Sequence, residues 1–333
     1  MTMWQRWVRQ PQGLWMRKAI FQIHLWTGIG VGLYILVISV TGSILVYSGD
    51  LYRWATPPPL VIVPAGSPLS DEQLKEAARR AYPGYQVTRI VRFSSAKAAT
   101  EVSLAGDGAE KRRLFNPYTG QDLRDSVPFR IRLVSGLVDL HYNLLAGATG
   151  RILNGVGAVL SLALGLTGLV IWWPGITKWR RSLTLHRRVG WKRFNWDLHS
   201  AVGWWSLGFV LLFGITGVYL SFPVTFTHLF DMVEPQTNAN MGKRHVDGVM
   251  YWLAYVHFGR FGGWKTEIPW AIFGLAPAVL FVTGAAMWWN RAVWPRLPQL
   301  IASKRRSESA AAAASPRFAR ESFLPGPPRR PKG

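Results

Sequence analysis

Four histidines recur in this chain at spacings that suit metal chemistry. His24 and His199 are each followed by a glycine after four residues and by a Thr-Gly pair after seventeen. His141 and His257 are each followed by a Thr-Gly pair after twenty-six residues, and then by Trp-Trp. The glycines concerned are Gly28 and Gly203, Gly42 and Gly217, and Gly168 and Gly284. Because each offset is repeated to the residue, the pattern indicates an internal duplication.

The histidines predict a cofactor that needs imidazole ligands. The chain has no cysteine, which excludes iron–sulfur clusters, covalently attached c-type haem and thiolate zinc sites. A zinc ion at a pair of histidines would need further ligands, and no carboxylate recurs at a fixed distance from them. A non-covalent haem needs only two axial imidazoles on facing helices. Two haem b groups, with iron held by these four histidines, therefore fit the pattern best.

The rest of the composition indicates a membrane protein. Of 333 residues, 49% are hydrophobic and 17% are charged, with 39 Lys and Arg against 17 Asp and Glu. Four apolar stretches approach or exceed the roughly 20 residues that a spanning helix requires, namely 21–47, 152–173, 201–222 and 268–289. The fold class predicted is an all-α membrane bundle of four transmembrane helices, built as two repeated hairpins.

The distribution of charge predicts the orientation. Lys and Arg greatly outnumber acidic residues in segments 1–18 and 175–198 and after residue 290, whereas connections 50–151 and 223–267 are closer to balanced. By the positive-inside rule, both termini and the middle loop are expected in the cytoplasm. His24 and His199 then share a depth near the cytoplasmic face, and His141 and His257 share one near the external face.

This common depth predicts that each haem is held by one histidine from each hairpin. Gly42 and Gly217 lie five helical turns from the inner histidines and are expected beside the outer haem, and Gly168 and Gly284 beside the inner one. Close packing of the spans is an alternative role for these glycines. Lys18, Lys192 and Arg193 are candidate partners of the inner haem propionates, and Arg260 of the outer ones. His186, His228 and His245 are interpreted as solvated side chains.

A small α+β domain is expected between the first two spans. Residues 69–82 have helical spacing after a Ser-Asp-Glu start, and strand-like runs follow at 86–93, 100–104 and 112–115. Asn116-Pro117-Tyr118-Thr119-Gly120 then predicts a turn that leads to a short polar strand. One helix on an antiparallel sheet is the simplest packing for that order. The tail from Ser303 onward is expected to be disordered.

These motifs resemble a known family. The external segment with its Phe115-Asn116-Pro117-Tyr118-Thr119-Gly120 turn looks like a PepSY domain, and His24-Leu25-Trp26-Thr27-Gly28 with the later Thr-Gly and Trp-Trp-Pro elements resembles the PepSY-associated transmembrane family. The resemblance covers roughly residues 18–291. Members of that family include inner-membrane ferric-siderophore reductases with two b-type haems between four helices. The resemblance implies the same activity here, with His24, His141, His199 and His257 as haem ligands.

The predicted organisation follows from the spans and the insert. It comprises a cytoplasmic N-terminus (1–18), transmembrane helix 1 (19–48), a periplasmic PepSY-like domain (49–140), a periplasmic entry with transmembrane helix 2 (141–174), a cytoplasmic loop (175–198), transmembrane helix 3 (199–222), a periplasmic loop (223–267), transmembrane helix 4 (268–290) and a cytoplasmic tail (291–333).

The predicted function is transfer of electrons across the inner membrane to a periplasmic ferric siderophore, which releases ferrous iron. No nucleotide-binding fingerprint is present, so a cytoplasmic reductase or a quinol is expected as the donor. No catalytic side chain is expected in addition to the haem. The lipid bilayer is an expected partner, and nucleic acid is not. One alternative is a PepSY-type membrane-anchored regulatory or binding module without redox activity. Another is passage of haem or siderophore without reduction.

Overall fold

The structure of the protein is a computed structural model that describes residues 2–106, 108–177, 179–186, 188–237, 244–296, 302–303 and 307–308. The helices are α1 (Met3–Arg9), α2 (Trp15–Gly30), α3 (Gly32–Leu45), α4 (Ser48–Ala55), α5 (Asp71–Ala81), α6 (Phe129–Asn143), α7 (Gly147–Trp172), α8 (Trp191–Ser221), α9 (Pro223–Val233), α10 (His245–Phe258), α11 (Trp264–Gly274) and α12 (Ala276–Trp288). The strands are β1 (Gln86–Val91), β2 (Thr100–Gly106), β3 (Ala109–Phe115) and β4 (Asp122–Asp125). The tail expected to be disordered lies almost wholly outside the described residues.

The protein is a mostly helical membrane protein. Among the described residues, three helical stretches are long and apolar enough to cross a membrane: Gly147–Trp172, Trp191–Ser221 and Trp264–Val293. A fourth arises when α2 and α3 are counted as one bent span, with 64° between them. These are the regions of the four predicted spans.

Two of the spans are interrupted where a single helix was expected. The predicted helix 19–48 is broken at Val31, between Gly30 and Gly32. A Cβ atom at Gly32 would lie 1.9 Å from the ring of Phe281, so the break is where α3 meets α12 without side-chain bulk. The predicted helix 268–290 begins earlier, at Trp264, and is broken at Leu275. Pro277 follows that break and cannot donate a helical backbone hydrogen bond.

The spans close into a ring around a central cavity. Helix α2 packs on α7, α7 on α8, α8 on α12, and α12 on both α3 and α2. Small residues allow several of these close approaches, because a Cβ atom at Gly157 would collide with the ring of Tyr34 and one at Gly155 with that of Phe222. Close helix packing is therefore the role of these two glycines.

The connections at one end of the bundle are helical. Segment 223–267, expected as a loop, contains α9, α10 and the start of α11. His141 lies on α6 and His257 on α10, and each helix precedes a span instead of belonging to it. Both helices end in left-handed residues: Leu144 and Leu145 after α6 have φ of 51° and 58°, and Gly259 after α10 has φ of 68°. For the two leucines this backbone conformation is strained.

The insert folds as a four-stranded antiparallel sheet in the order β1-β2-β3-β4, with α5 packed on one face. Helix α5 begins with a capping box between Ser70 and Gln73. The helix and strands occupy the segments in which they were predicted. The core beneath α5 consists of Leu74, Ala78, Val102, Leu104 and Phe115.

A polar cluster joins β3 and β4 of this domain. Arg113 of β3 pairs with Asp122 and Asp125 around β4, and Tyr82 donates a hydrogen bond to Asp122. Burial raises the pKa of Tyr82 to about 12, and the hydrogen bond to Asp122 adds to the shift. The Arg113 guanidinium has its pKa raised by the hydrogen bond to Asp122.

Candidate functional site: a cavity with paired histidines

One cavity of about 1470 Å³ runs through the bundle. It is larger than the roughly 300–1,000 Å³ of an ordinary small-molecule pocket. All ten residues predicted for the site line it: His24, His141, His199, His257, Gly28, Gly203, Gly42, Gly217, Gly168 and Gly284. The structure thus brings together side chains that are separated by more than two hundred residues.

The histidines lie at two ends of this cavity as pairs. A charge on His24 would act on His199, and a charge on His141 would act on His257, so the members of each pair are close. Each pair takes one residue from each half of the chain. We refer to the two ends as the His24–His199 end and the His141–His257 end. The sheet domain joins the latter through α4 and α6, which pack on each other.

Each histidine contacts the threonine of a Thr-Gly pair through Nδ1. The distance from Nδ1 to the threonine Oγ1 is 3.0 Å for His24 and Thr167, 2.9 Å for His141 and Thr41, 2.8 Å for His199 and Thr283, and 2.7 Å for His257 and Thr216. Each bond joins two helices of the same half of the chain. The duplication seen in the sequence is therefore present as four equivalent contacts.

The other ring nitrogen of each histidine, Nε2, is free to bind a ligand. Among the described residues, none of the four Nε2 atoms has a hydrogen-bond partner within the protein. The four side chains are only half-buried, because they border the cavity. Neutral imidazole with a free Nε2 is a common metal ligand in proteins.

The glycines of the Thr-Gly pairs make room for the imidazole rings. A Cβ atom at Gly42 would lie 2.8 Å from Cε1 of His141, and one at Gly168 or Gly284 would lie 3.3 Å from Cε1 of His24 or His199. Gly217 differs, because a Cβ atom there would only touch Ala158 at 3.5 Å. Clearance for a macrocycle was the predicted role, and at three of these positions the histidine ring itself occupies the space.

Gly28 and Gly203 occupy equivalent positions in the two halves. A Cβ atom at Gly28 would contact Leu164 at 3.7 Å, and one at Gly203 would contact Leu280 at 3.6 Å. Both are ordinary van der Waals distances, so an alanine would fit against the protein at either position. The absence of a side chain at Gly28 and Gly203 therefore leaves space in the cavity itself.

The cations at the His24–His199 end differ from those predicted. Lys192 lines the cavity, but Lys18 is exposed outside it and Arg193 pairs with the buried Asp197. Arg17 lines the cavity instead and donates to the carbonyl of Ile171. The sequence alone does not show whether Arg17 or Lys18 faces the cavity. Adjacent helical residues face different directions, so the choice depends on the rotation of the helix.

Two buried donors at this end lack a protein acceptor. Arg17 Nε and Trp172 Nε1 are buried without a hydrogen-bond partner among the described residues, and both residues line the cavity. A buried donor without an acceptor costs about 1–3 kcal/mol. An anionic group in the cavity would satisfy both.

Arg260 lines the cavity at the His141–His257 end, as predicted from its position one turn after His257. It donates to the carbonyls of Leu45 and Val46 and to Ser48, and so ties the end of α3 to α10. Arg151 lines the same end. Both ends of the cavity therefore carry positive charge.

The remaining histidines do not line the cavity. His186 bonds to Asp197 with 3.1 Å between Nδ1 and Oδ2, and the highly exposed His245 lies 3.7 Å from Glu234. His228 is also absent from the cavity wall.

Comparison with known proteins places the chain in a family. One curated relative is the uncharacterized protein PA4219 of Pseudomonas aeruginosa, which is 36% identical over 84 residues, or 24% of this chain and 20% of the relative. The chain thus matches about a fifth of that relative's length. Residues 21–291 match the model of the PepSY-associated TM region. The chain therefore belongs to the PepSY-associated transmembrane family.

Proposed function

We propose that the protein is an inner-membrane oxidoreductase that holds two haem b groups and passes electrons across the membrane to a periplasmic ferric siderophore. The observation that carries the proposal is the pairing of four histidines, two at each end of one cavity, with no hydrogen-bond partner for any Nε2 within the described part of the chain. A bis-histidine haem needs two such imidazoles and no other protein ligand to iron.

The residues of the cavity fit this cofactor. Among the described residues, no group of three or more His, Asp or Glu side chains could hold a bare metal ion, so each end offers two imidazoles. The cavity volume exceeds that of a single small-molecule pocket, and its surface is largely apolar with aromatic side chains. Arg17 and Trp172 supply donors for a propionate at the His24–His199 end, and Arg260 and Arg151 supply cations at the other.

When bound, haem supplies one-electron transfer between ferric and ferrous iron. The paired histidines would hold the iron, and Phe213 packs edge-on against His257 with ring centroids 5.9 Å apart. Iron held by two protein imidazoles would have no need to bind the substrate directly. The proposed chemistry is therefore electron transfer, and no other catalytic side chain is required.

The proposed acceptor rests on the resemblance to ferric-siderophore reductases and on the position of the sheet domain. A siderophore binds hard ferric iron through oxygen atoms, and reduction to softer ferrous iron weakens that binding. We assign the chelate to the His141–His257 end, to which the sheet domain is joined. The donor, a quinol or a separate reductase, would act at the His24–His199 end, for which the charge asymmetry predicts a cytoplasmic location.

The first experiment is an absorption spectrum and a pyridine haemochrome measurement on the purified full-length protein. We expect about two low-spin haems per chain, since four histidines form two axial pairs. His24→Ala and His199→Ala should each remove the same haem, and His141→Ala and His257→Ala the other.

His245→Ala is the matched control, because this histidine is exposed and outside the cavity. It should keep both haems. A wild-type protein without haem would refute the proposal and favour a membrane-anchored module. Identical spectra for His24→Ala and His141→Ala, but not for His24→Ala and His199→Ala, would refute the pairing.

A further inference from the structure

Each threonine that contacts a histidine has a single hydroxyl proton, and the position of that proton is fixed by a hydrogen bond within the helix. In Thr41, Thr167 and Thr283, Oγ1 lies 2.7 Å from the carbonyl oxygen of the residue four positions earlier. In Thr216 the corresponding distance is 2.6 Å. A carbonyl oxygen only accepts hydrogen bonds, so each hydroxyl donates there. The threonine oxygen is left with lone pairs facing the imidazole.

The histidine must then be the donor in the shared bond. Each Nδ1 lies 2.7–3.0 Å from a threonine oxygen that has no proton to offer, so Nδ1 carries the hydrogen.

We propose that Thr41, Thr167, Thr216 and Thr283 are positioning residues that hold the four histidines as Nδ1–H tautomers, with the Nε2 lone pair directed to the cavity. The part of this inference that concerns iron rests on the proposed function. The tautomer itself does not, because the hydrogen bonds exist within the protein alone.

A threonine partner differs chemically from the carboxylate that often supports a ligating histidine. A carboxylate draws the Nδ1 proton towards itself and makes the imidazole a stronger donor to the metal. A threonine oxygen is neutral and is already polarised by its own bond to the helix carbonyl. The four histidines are thus kept as neutral ligands without placing a negative charge inside the helix bundle, where an unpaired charge is costly.

The Thr-Gly pair works as one unit at three histidines. The threonine accepts from Nδ1, and the following glycine leaves room for Cε1, with the 2.8–3.3 Å clearances given above. This accounts for the recurrence of the dipeptide, and not of glycine alone, at fixed distances from the histidines.

The test uses 15N-histidine-labelled full-length protein from haem-deficient cells. Solid-state NMR of the imidazole nitrogens should show four neutral rings with protonated Nδ1 and bare Nε2. Thr283→Val keeps the side-chain volume but removes the acceptor, and it should abolish the fixed tautomer at His199 only. Thr283→Ser should restore it.

Haem binding provides a second readout. Loss of a supporting partner of a metal ligand typically lowers affinity about 10–100-fold, and we expect this for the haem of the His24–His199 end in Thr283→Val, with a shifted midpoint potential. Ser206→Ala is the control, since this buried hydroxyl makes the same bond to a carbonyl, Val202, but touches no histidine. It should change neither readout.

The outcomes separate the two proposals. Protonated Nε2 in the wild-type rings, or unchanged spectra and affinity in Thr283→Val, would overturn the role of the threonines. A wild-type protein that binds no haem but shows four Nδ1–H tautomers would refute the proposed function and leave this inference standing.

Discussion

A threonine and the glycine that follows it contact the same imidazole ring at three of the four histidines. The exception is His257, whose ring bonds to Thr216 while Gly217 faces Ala158. The two halves of the chain are therefore equivalent in hydrogen bonding but not in packing. This difference gives a direct test of what the glycines do.

Gly42→Ala and Gly217→Ala should have unequal effects although the two positions correspond in the duplication. The added methyl at Gly42 would lie 2.8 Å from Cε1 of His141, whereas at Gly217 it meets only Ala158 at a normal distance. Overpacking costs about 1–3 kcal/mol, enough to displace the imidazole. Haem content by pyridine haemochrome should fall from about two towards about one per chain in Gly42→Ala only.

Equal haem content in both variants would contradict this reading of the cavity. A further control is Gly30→Ala, where no atom lies within 4 Å of the added methyl. Since alanine favours a helix over glycine by about 1 kcal/mol, that variant should be neutral or slightly stabilising.

At the scale of single residues, the sequence could identify the four histidines but not the side chains that contact them. The offsets of histidine, threonine and glycine are visible in the chain, and the predicted site residues all line the cavity. The role of the threonine hydroxyls depends on which helix faces which, and the choice of Arg17 over Lys18 depends on helix rotation. Neither is set by spacing along one helix.

Two helices that are not spans carry the histidines of one end. Helices α6 and α10 precede the spans α7 and α11, and their left-handed ends turn the chain into the bilayer. Hydropathy predicts the spans well because every backbone group in lipid must be bonded internally. It does not predict breaks such as those at Val31 and Leu275, which depend on contacts between helices, such as the approach of Phe281 to Gly32.

The sheet domain has a core of its own, so it should be possible to disrupt it without loss of haem. Phe115 is fully buried under α5, and Phe115→Ala should destabilise the domain by about 3–5 kcal/mol. Limited proteolysis should then cleave within β1–β4, while the absorption spectrum of the haems stays as in the wild type.

Phe93→Ala provides the comparison, because Phe93 is 54% exposed and lies outside that core. It should leave the protease pattern unchanged. Loss of both haems in Phe115→Ala, with the protein still in the membrane, would show that the bundle depends on the sheet domain.

The whole molecule combines a duplicated bundle with an asymmetric insertion. Both halves supply one histidine to each end of the cavity, so the cavity ends are alike in their histidines. They differ in what lies outside them, since the chain enters the sheet domain after α4 and leaves it into α6, which carries His141. In the proposed function, the direction of electron transfer would therefore depend on which way the protein is inserted in the membrane.

The absence of cysteine makes that orientation measurable. The chain contains no thiol, so a single introduced cysteine is the only site for a maleimide. Ser67 precedes the sheet domain, Thr177 follows α7, and both are exposed. Because the span Gly147–Trp172 is one crossing between the His141 end and Thr177, the two positions should lie on opposite sides of the membrane.

We expect a membrane-impermeant maleimide to label Ser67→Cys in intact spheroplasts and Thr177→Cys only after permeabilisation. The reason is the excess of Lys and Arg in segments 1–18 and 175–198 and after residue 290, which the positive-inside rule retains in the cytoplasm. The reverse pattern would place the sheet domain in the cytoplasm, where a periplasmic chelate could not reach the His141–His257 end. Labelling of both positions from one side would contradict the crossing by α7 itself. Retention of both haems in each variant, checked by absorbance, ensures that the labelled protein is the folded one.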